Sequence, residues 1–187
     1  MMSEWLPDEI AEIVVDRKQI RKHVSDLGRR ISEDYRGREL VMVGVLKGAA
    51  VFMSDLMREI IVPVHADFIT VSSYGNNTET SGIVKILRDT DINIRGRDVL
   101  IVEDLIDSGL TLRYLKELYS MRAPSSLKLC TAFDKPSKRK TEVGVEYEGL
   151  IIPDKFVVGY GLDHAGKYRN LPDLCALKPE FYEVAQM

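Results

Sequence analysis

The sequence predicts an α/β fold, a mostly parallel twisted sheet flanked by helices. Short runs rich in Val, Ile and Leu recur along the chain, and several are apolar at every position, as in strands buried on both faces. Segments with apolar residues at helical spacing lie between these runs, and such alternation is what a parallel sheet with crossover helices requires. The 187 residues are 45% hydrophobic, enough to bury one core, so a single domain over residues 1–187 is expected.

Taken in order, Asp16 is a candidate N-cap for a helical pattern over 16–35. LVMVGV at 40–45 reads as a buried strand. A helix is expected over 48–60, with Val51, Phe52, Leu56 and Ile60 as its apolar positions. IVPVHADFITVS at 61–72 is strand-like, whereas SYGNNTETSG at 73–82 is polar, Gly-containing and β-poor, the composition of a long loop or hairpin tip. DVLIVEDLI at 98–106 forms the next strand and leads into a helix over 109–121 with Leu112, Leu115 and Leu118 on one face. SLKLCTAF at 126–133 and KFVVGYGL at 155–162 read as two further strands.

Composition excludes several classes of function. With 26 basic against 29 acidic residues, the chain lacks the basic footprint that binding a phosphate backbone requires. No apolar run approaches the roughly 20 residues of a bilayer span, and MMSEWLPDEI has no charged-then-apolar leader pattern, so a cytoplasmic protein without membrane or nucleic-acid partners is expected. Cys130 and Cys175 have no Cys or His at ligand spacing and are expected as reduced core thiols. KPSKRK at 135–140 concentrates four positive charges in six residues and reads as a solvated loop.

The chemistry concentrates at VLIVEDLIDSGLTL, residues 99–112. In an open parallel sheet, ligands bind at the carboxyl ends of strands, where helices begin with unpartnered N–H groups. Ser108, Gly109, Leu110 and Thr111 offer two hydroxyls, free N–H groups and the positive end of a helix dipole, which together describe a phosphate cradle. Glu103 and Asp104 would repel a phosphate, so they should face vicinal hydroxyls, a metal ion, or both. A sugar phosphate supplies both ends.

The segment Val102-Glu103-Asp104-Leu105-Ile106-Asp107-Ser108-Gly109-Leu110-Thr111 closely resembles the phosphoribosyl-pyrophosphate signature of type I phosphoribosyltransferases. Val45-Leu46-Lys47-Gly48 is similar to the family's pyrophosphate loop, Ser73-Tyr74 to its catalytic lid, and Asp154 to Tyr160 to the purine-binding segment of its 6-oxopurine branch. The likeness runs from about residue 10 to about 182. Two positions depart from it: some relatives carry a basic residue at Leu110, and many an aromatic at His164.

The resemblance implies the type I phosphoribosyltransferase fold, with a core over about 36–160, a hood from about 1–15 and 161–187, and a mobile catalytic loop over about 72–84. It implies Mg²⁺-dependent transfer of 5-phosphoribosyl from phosphoribosyl pyrophosphate to N9 of hypoxanthine or guanine, giving IMP or GMP plus pyrophosphate in purine salvage, by a homodimer or homotetramer. By resemblance, Glu103 and Asp104 bind the ribose hydroxyls directly or through Mg²⁺, and Asp163 holds a second Mg²⁺ through water. Asp107 is then the general base at purine N7, Lys135 contacts O6, Phe156 stacks on the ring, and Val157 and Asp163 complete the base pocket. Lys47, Gly48 and Arg169 receive pyrophosphate, Ser73 and Tyr74 shield the reacting centre, and the peptide before Lys47 is a candidate for a non-proline cis bond. A xanthine or pyrimidine phosphoribosyltransferase would share the nucleotide half of this site. An RNA-binding pyrimidine-operon regulator would share the fold, with KPSKRK as part of a basic face.

Overall fold

The computed structural model describes residues 6–73 and 84–183, and the side chain of every one of these but Ser73. Its main sheet contains β2 (Leu40–Leu46), β3 (Val64–Ser73), β4 (Val84–Arg88), β5 (Asp98–Ile106), β6 (Ser126–Asp134) and β7 (Leu150–Ile151), in the order β4-β3-β2-β5-β6-β7. All neighbours run parallel except β3 and β4. A second, three-stranded antiparallel sheet joins β1 (Ile10–Val15), β9 (Leu174–Leu177) and β8 (Val157–Val158).

Both faces of the main sheet are covered, which explains why β2 and β5 are apolar at consecutive positions. On one face Met42, Leu100 and Val102 pack under α1 (Arg17–Asp34) and α2 (Ala49–Glu59) through Leu27, Ile31, Phe52 and Leu56. On the other, Val41, Val43, Val99 and Ile101 pack against Leu112, Leu115 and Tyr119 of α3 (Leu110–Ser120). Asp16 caps α1: its side chain accepts from the N–H groups of Lys18 and Gln19, and the Gln19 side chain accepts from the Asp16 N–H. This reciprocal pair satisfies donors that the first helical turn leaves free.

Several segments differ from the sequence reading. The strand expected over 155–162 is only Val157–Val158, and it belongs to the small antiparallel sheet. Gly159, Tyr160 and Gly161 follow with φ of 96°, 49° and 99°, a left-handed path that no strand continues. The run at 61–72 becomes regular only at Val64, after Pro63, and Ile61 is exposed. Val51 faces outward, one position off the buried stripe of Phe52, Met53 and Leu56. Strands β1, β4, β7 and β9 and the short helix α4 (Pro179–Tyr182) have no counterpart in the sequence reading. Both cysteines are free and buried; burial raises the Cys175 thiol to about 11 and pushes Cys130 up as well.

Candidate active site

The sheet reverses its winding at β2 and β5: from β2 the chain moves outward to β3, then returns to add β5 and β6 on the other side. The crevice beyond the carboxyl ends of these two strands is where an open α/β sheet accepts ligands. Two turns meet there, Leu46-Lys47-Gly48 after β2 and Asp107-Ser108-Gly109 after β5. A cavity of about 230 Å³ lies between them, lined by Leu46, Glu103, Leu105, Asp107, Ser108 and Thr111 among others.

The second turn has the form of an anion cradle. Gly109 has φ 82°, and a β-carbon there would lie 2.8 Å from the Thr141 carbonyl. The Ser108 carbonyl accepts from the N–H groups of Lys140 and Thr141 at 3.0 and 3.2 Å, which pins the turn from below. No side chain caps α3, and the Ser108 hydroxyl reaches the Leu110 N–H only at 3.4 Å. The first N–H groups of α3, with the hydroxyls of Ser108 and Thr111, are thus arranged to receive an anionic group.

At the end of β5, the Oε2 of Glu103 is buried without a hydrogen-bond partner among the described residues. Burial, reinforced by the neighbouring Asp104 carboxylate, raises the Glu103 carboxyl well above the usual range. An orphaned buried carboxylate oxygen calls for a hydroxyl donor or a cation, so this pair fits ribose hydroxyls or Mg²⁺. No group of three or more metal-ligating side chains occurs among the described residues. Mg²⁺ takes one or two carboxylates and fills its remaining positions with water and substrate oxygens.

The first turn is fitted closely to its surroundings. The Leu46–Lys47 peptide is cis. A β-carbon on Gly48 would lie 1.6 Å from Asp104 Oδ2, and one on Gly161 would lie 2.2 Å from the Gly48 carbonyl oxygen. Both glycines are therefore demanded by close approach, and the Gly48 loop is held between β5 and the 159–161 turn. Arg169 supports that turn by donating from Nη1 to the Gly161 carbonyl at 2.6 Å. Its Nη2 also pairs with Asp163 at 2.5 Å, and the second Asp163 oxygen accepts from the Gly166 N–H at 2.7 Å. The residues assigned to pyrophosphate and to a second metal are thus paired with each other. Lys47 is exposed.

The ends of β5 and β6 and the 154–157 segment meet at Lys135. The Lys135 backbone N–H donates to the Ile106 carbonyl at 3.0 Å, which ties it to the end of β5 just before Asp107. Lys135 is 7% exposed, and its ammonium donates to the Lys155 carbonyl at 2.6 Å. Burial lowers its pKa, while Asp107 and Asp154 act in the opposite sense. Asp107 is exposed, Val157 is buried in β8, and Phe156 is 37% exposed. Tyr74 lies outside the described residues, as does the side chain of Ser73.

Three contributors have no role of their own in the sequence reading. Gly161 backs the Gly48 loop, and a Gly-Tyr-Gly sequence at the end of an apolar run was its only signal. Leu105 lines the cavity beside Asp107. Arg139 donates to the Asp107 carbonyl at 3.1 Å and pairs with Asp134, so it is a strut under the turn. Since Lys138 also pairs with Asp154, three of the four charges of KPSKRK are engaged within the protein. A larger cavity of about 730 Å³ lies behind the Gly48 loop, between α1, α2 and the 169–172 segment. Its Arg17, Arg58 and Arg169 are paired with Asp173, Asp55 and Asp163, and the carboxylates and cradle described above do not line it.

Comparison with known proteins agrees with this geometry. Residues 11–165 match the phosphoribosyl transferase domain family. A hypoxanthine-guanine phosphoribosyltransferase of Bacillus subtilis is 48% identical over 175 residues, 94% of this chain and 97% of that protein. A bifunctional TilS/HprT protein of Listeria monocytogenes is 46% identical over 180 residues; the chain spans only 28% of that relative's length. The crystal structure of a hypoxanthine phosphoribosyltransferase from Staphylococcus aureus superposes with a TM-score of 0.91 at 43% identity, covering 97% of this chain and 99% of that one.

Proposed function

The chain belongs to the phosphoribosyl transferase family, and from that premise we propose that it transfers 5-phosphoribosyl from phosphoribosyl pyrophosphate to N9 of hypoxanthine or guanine. The products are IMP or GMP and pyrophosphate, a purine-salvage reaction. The observation that carries the choice of base is Lys135, a buried ammonium held between the end of β5 and the 154–157 segment. An ammonium only donates hydrogen bonds, so it favours the O6 acceptor of a 6-oxopurine and opposes the 6-amino group of adenine.

The remaining roles are those that the family resemblance assigns to these residues. The α3 N-terminus with Ser108, Gly109, Leu110 and Thr111 holds the 5′-phosphate. Glu103 and Asp104 accept from the ribose hydroxyls, which uses the orphaned Glu103 oxygen. Asp107 takes or shares the N7 proton as N9 attacks the anomeric carbon. Phe156 stacks on the base, and Val157 and Asp163 line its edge. Lys47, the Gly48 N–H and Arg169 meet the departing pyrophosphate, whose charge grows as the bond to the anomeric carbon breaks. Ser73 and Tyr74 cover the cationic ribosyl and keep water out. Mg²⁺, held by Glu103 and Asp104 and through water by Asp163, supplies charge neutralisation for pyrophosphate when bound.

No helix among the described residues is long and apolar enough to cross a membrane. A cytoplasmic homodimer or homotetramer is the assembly this reading expects, and sedimentation equilibrium measures it. The internal pairing of KPSKRK weighs against an RNA-binding regulator. The deciding assay incubates the protein with Mg²⁺, phosphoribosyl pyrophosphate and each of hypoxanthine, guanine, xanthine, adenine and uracil. Nucleotide from hypoxanthine or guanine is expected. Turnover of xanthine or uracil alone would overturn the choice of substrate.

A further inference from the structure

We propose that Tyr182 is a positioning residue for base recognition: it stacks flat on Phe156 and holds that ring so that its other face is presented to the purine. The inference rests on the reading of Phe156 as the base-stacking residue. Phe156 has a fixed backbone and an open side chain. Its carbonyl accepts from the Leu177 N–H at 2.9 Å, which ties it to β9, yet the residue is 37% exposed at the edge of the small sheet. Two aromatic residues restrain that ring. Tyr182 lies against it with centroids 4.7 Å apart and planes 14° apart, and His164 meets it at 5.4 Å and 88°. A parallel neighbour on one face fixes the plane in which a flat base can stack on the opposite face.

Tyr182 is itself anchored. It packs against the small-sheet core of Ile10, Val158, Leu171, Cys175 and Leu177. Helix α4 is far too short to be stable alone. Pro179 opens it, the Lys178 N–H donates to the Glu9 carbonyl at 2.9 Å, and the Glu183 N–H closes it onto the Pro179 carbonyl at 2.9 Å. Strand β9 leads directly into this turn, so the segment that pairs with the Phe156 backbone also returns an aromatic ring onto its side chain. Without that ring, Phe156 must be ordered when the base binds, and the loss falls on base affinity alone. Phosphoribosyl pyrophosphate is held at the other end of the crevice by α3 and the Gly48 loop.

The test is steady-state kinetics, with hypoxanthine and phosphoribosyl pyrophosphate varied in turn, on wild type, Tyr182→Phe, Tyr182→Leu and Phe156→Leu. Tyr182→Leu is expected to raise KM for hypoxanthine about three- to tenfold, the range of an aromatic pair. Its kcat and its KM for phosphoribosyl pyrophosphate should stay within about twofold, and Tyr182→Phe should behave as wild type because only the ring is required. If Tyr182→Leu does not fold, Tyr182→Met gives the same comparison. A parallel rise in both KM values would make Tyr182 merely structural and overturn the proposal, as would an unchanged hypoxanthine KM. A fall in hypoxanthine KM would overturn it too, by showing that Tyr182 occupies the place of the base. Phe156→Leu separates the two levels of the reading. If it raises hypoxanthine KM while Tyr182→Leu does not, only the role of Tyr182 fails; if it has no effect, the base-pocket assignment itself fails.

Discussion

Gly48→Ala isolates the fit between the first turn and the acidic pair. Gly48 has φ −60° and ψ −46°, so alanine needs no change of backbone. Its β-carbon, however, would lie 1.6 Å from Oδ2 and 2.5 Å from Cγ of Asp104. The loop cannot readily retreat, because the Gly48 carbonyl is already pressed against Gly161. The Asp104 carboxylate, at the end of a short rotatable side chain, is the part that moves. Moving it breaks the 3.0 Å bond it accepts from the Leu105 N–H, worth about 0.5–1.5 kcal/mol. Replacing glycine where alanine fits the backbone returns about 0.4–1 kcal/mol. Net stability should therefore change by less than about 1 kcal/mol, or roughly 2–4 °C in Tm for a chain of this size. Function should suffer far more, since a displaced carboxylate loses charged hydrogen bonds worth about 1.5–3 kcal/mol. That corresponds to about a 10- to 150-fold fall in kcat/KM for phosphoribosyl pyrophosphate. Initial rates at saturating hypoxanthine, paired with a thermal melt, measure both quantities. Wild-type kcat/KM would refute the argument, and so would a collapse of Tm, which would mean that the loop had buckled instead of the carboxylate.

Other outcomes test the remaining parts of the site. Asp107→Asn should lower kcat by about 10² or more while KM for phosphoribosyl pyrophosphate stays within a few-fold, and near-normal turnover would remove Asp107 from the base role. Lys135→Met should raise KM for hypoxanthine and guanine at least about tenfold and narrow the preference over adenine; unchanged hypoxanthine kinetics would leave Lys135 as a structural tie to Lys155. The Arg17 guanidinium holds the Asp173 carboxyl below the usual value of 3.8, so in acid the unfolded chain binds the proton first. The stabilisation is complete above the unfolded value and is lost as pH falls through the folded one. Asp173→Asn should accordingly lower Tm at neutral pH and have little effect in strong acid; an equal loss at both would show that charge is not the cause.

Periodicity located β2, β5, β6 and the helices α1 and α3, because strands covered on both faces and amphipathic helices leave their burial pattern in the local sequence. The Asp16 cap was legible for the same reason: its partners are two and three residues away. Strand β1, IAEIVV, was not. Its central residues are mostly exposed, and its pairing partner β9 lies at the other end of the chain. The run at 155–162 misled because branched apolar residues mark burial without marking direction, and the left-handed turn through Gly159 and Gly161 sends it away from the main sheet.

The sequence by itself determined the alternating α/β core, the acidic strand end at 103–104 and the Ser108–Thr111 turn, since each is contained within one short segment whose chemistry is set by adjacent residues. Only the tertiary structure decided that Gly161 backs Gly48, that Arg139 props the Asp107 turn, that Lys135 is buried against the Lys155 carbonyl, and that Tyr182 covers Phe156. Apart from Arg139, whose partners are split between two strand ends, these contacts join segments that the chain brings to one crevice from different strands and sheets. Their geometry depends on which faces meet after the sheet has twisted and the small sheet has docked, and a local pattern of apolar and polar residues carries no trace of that.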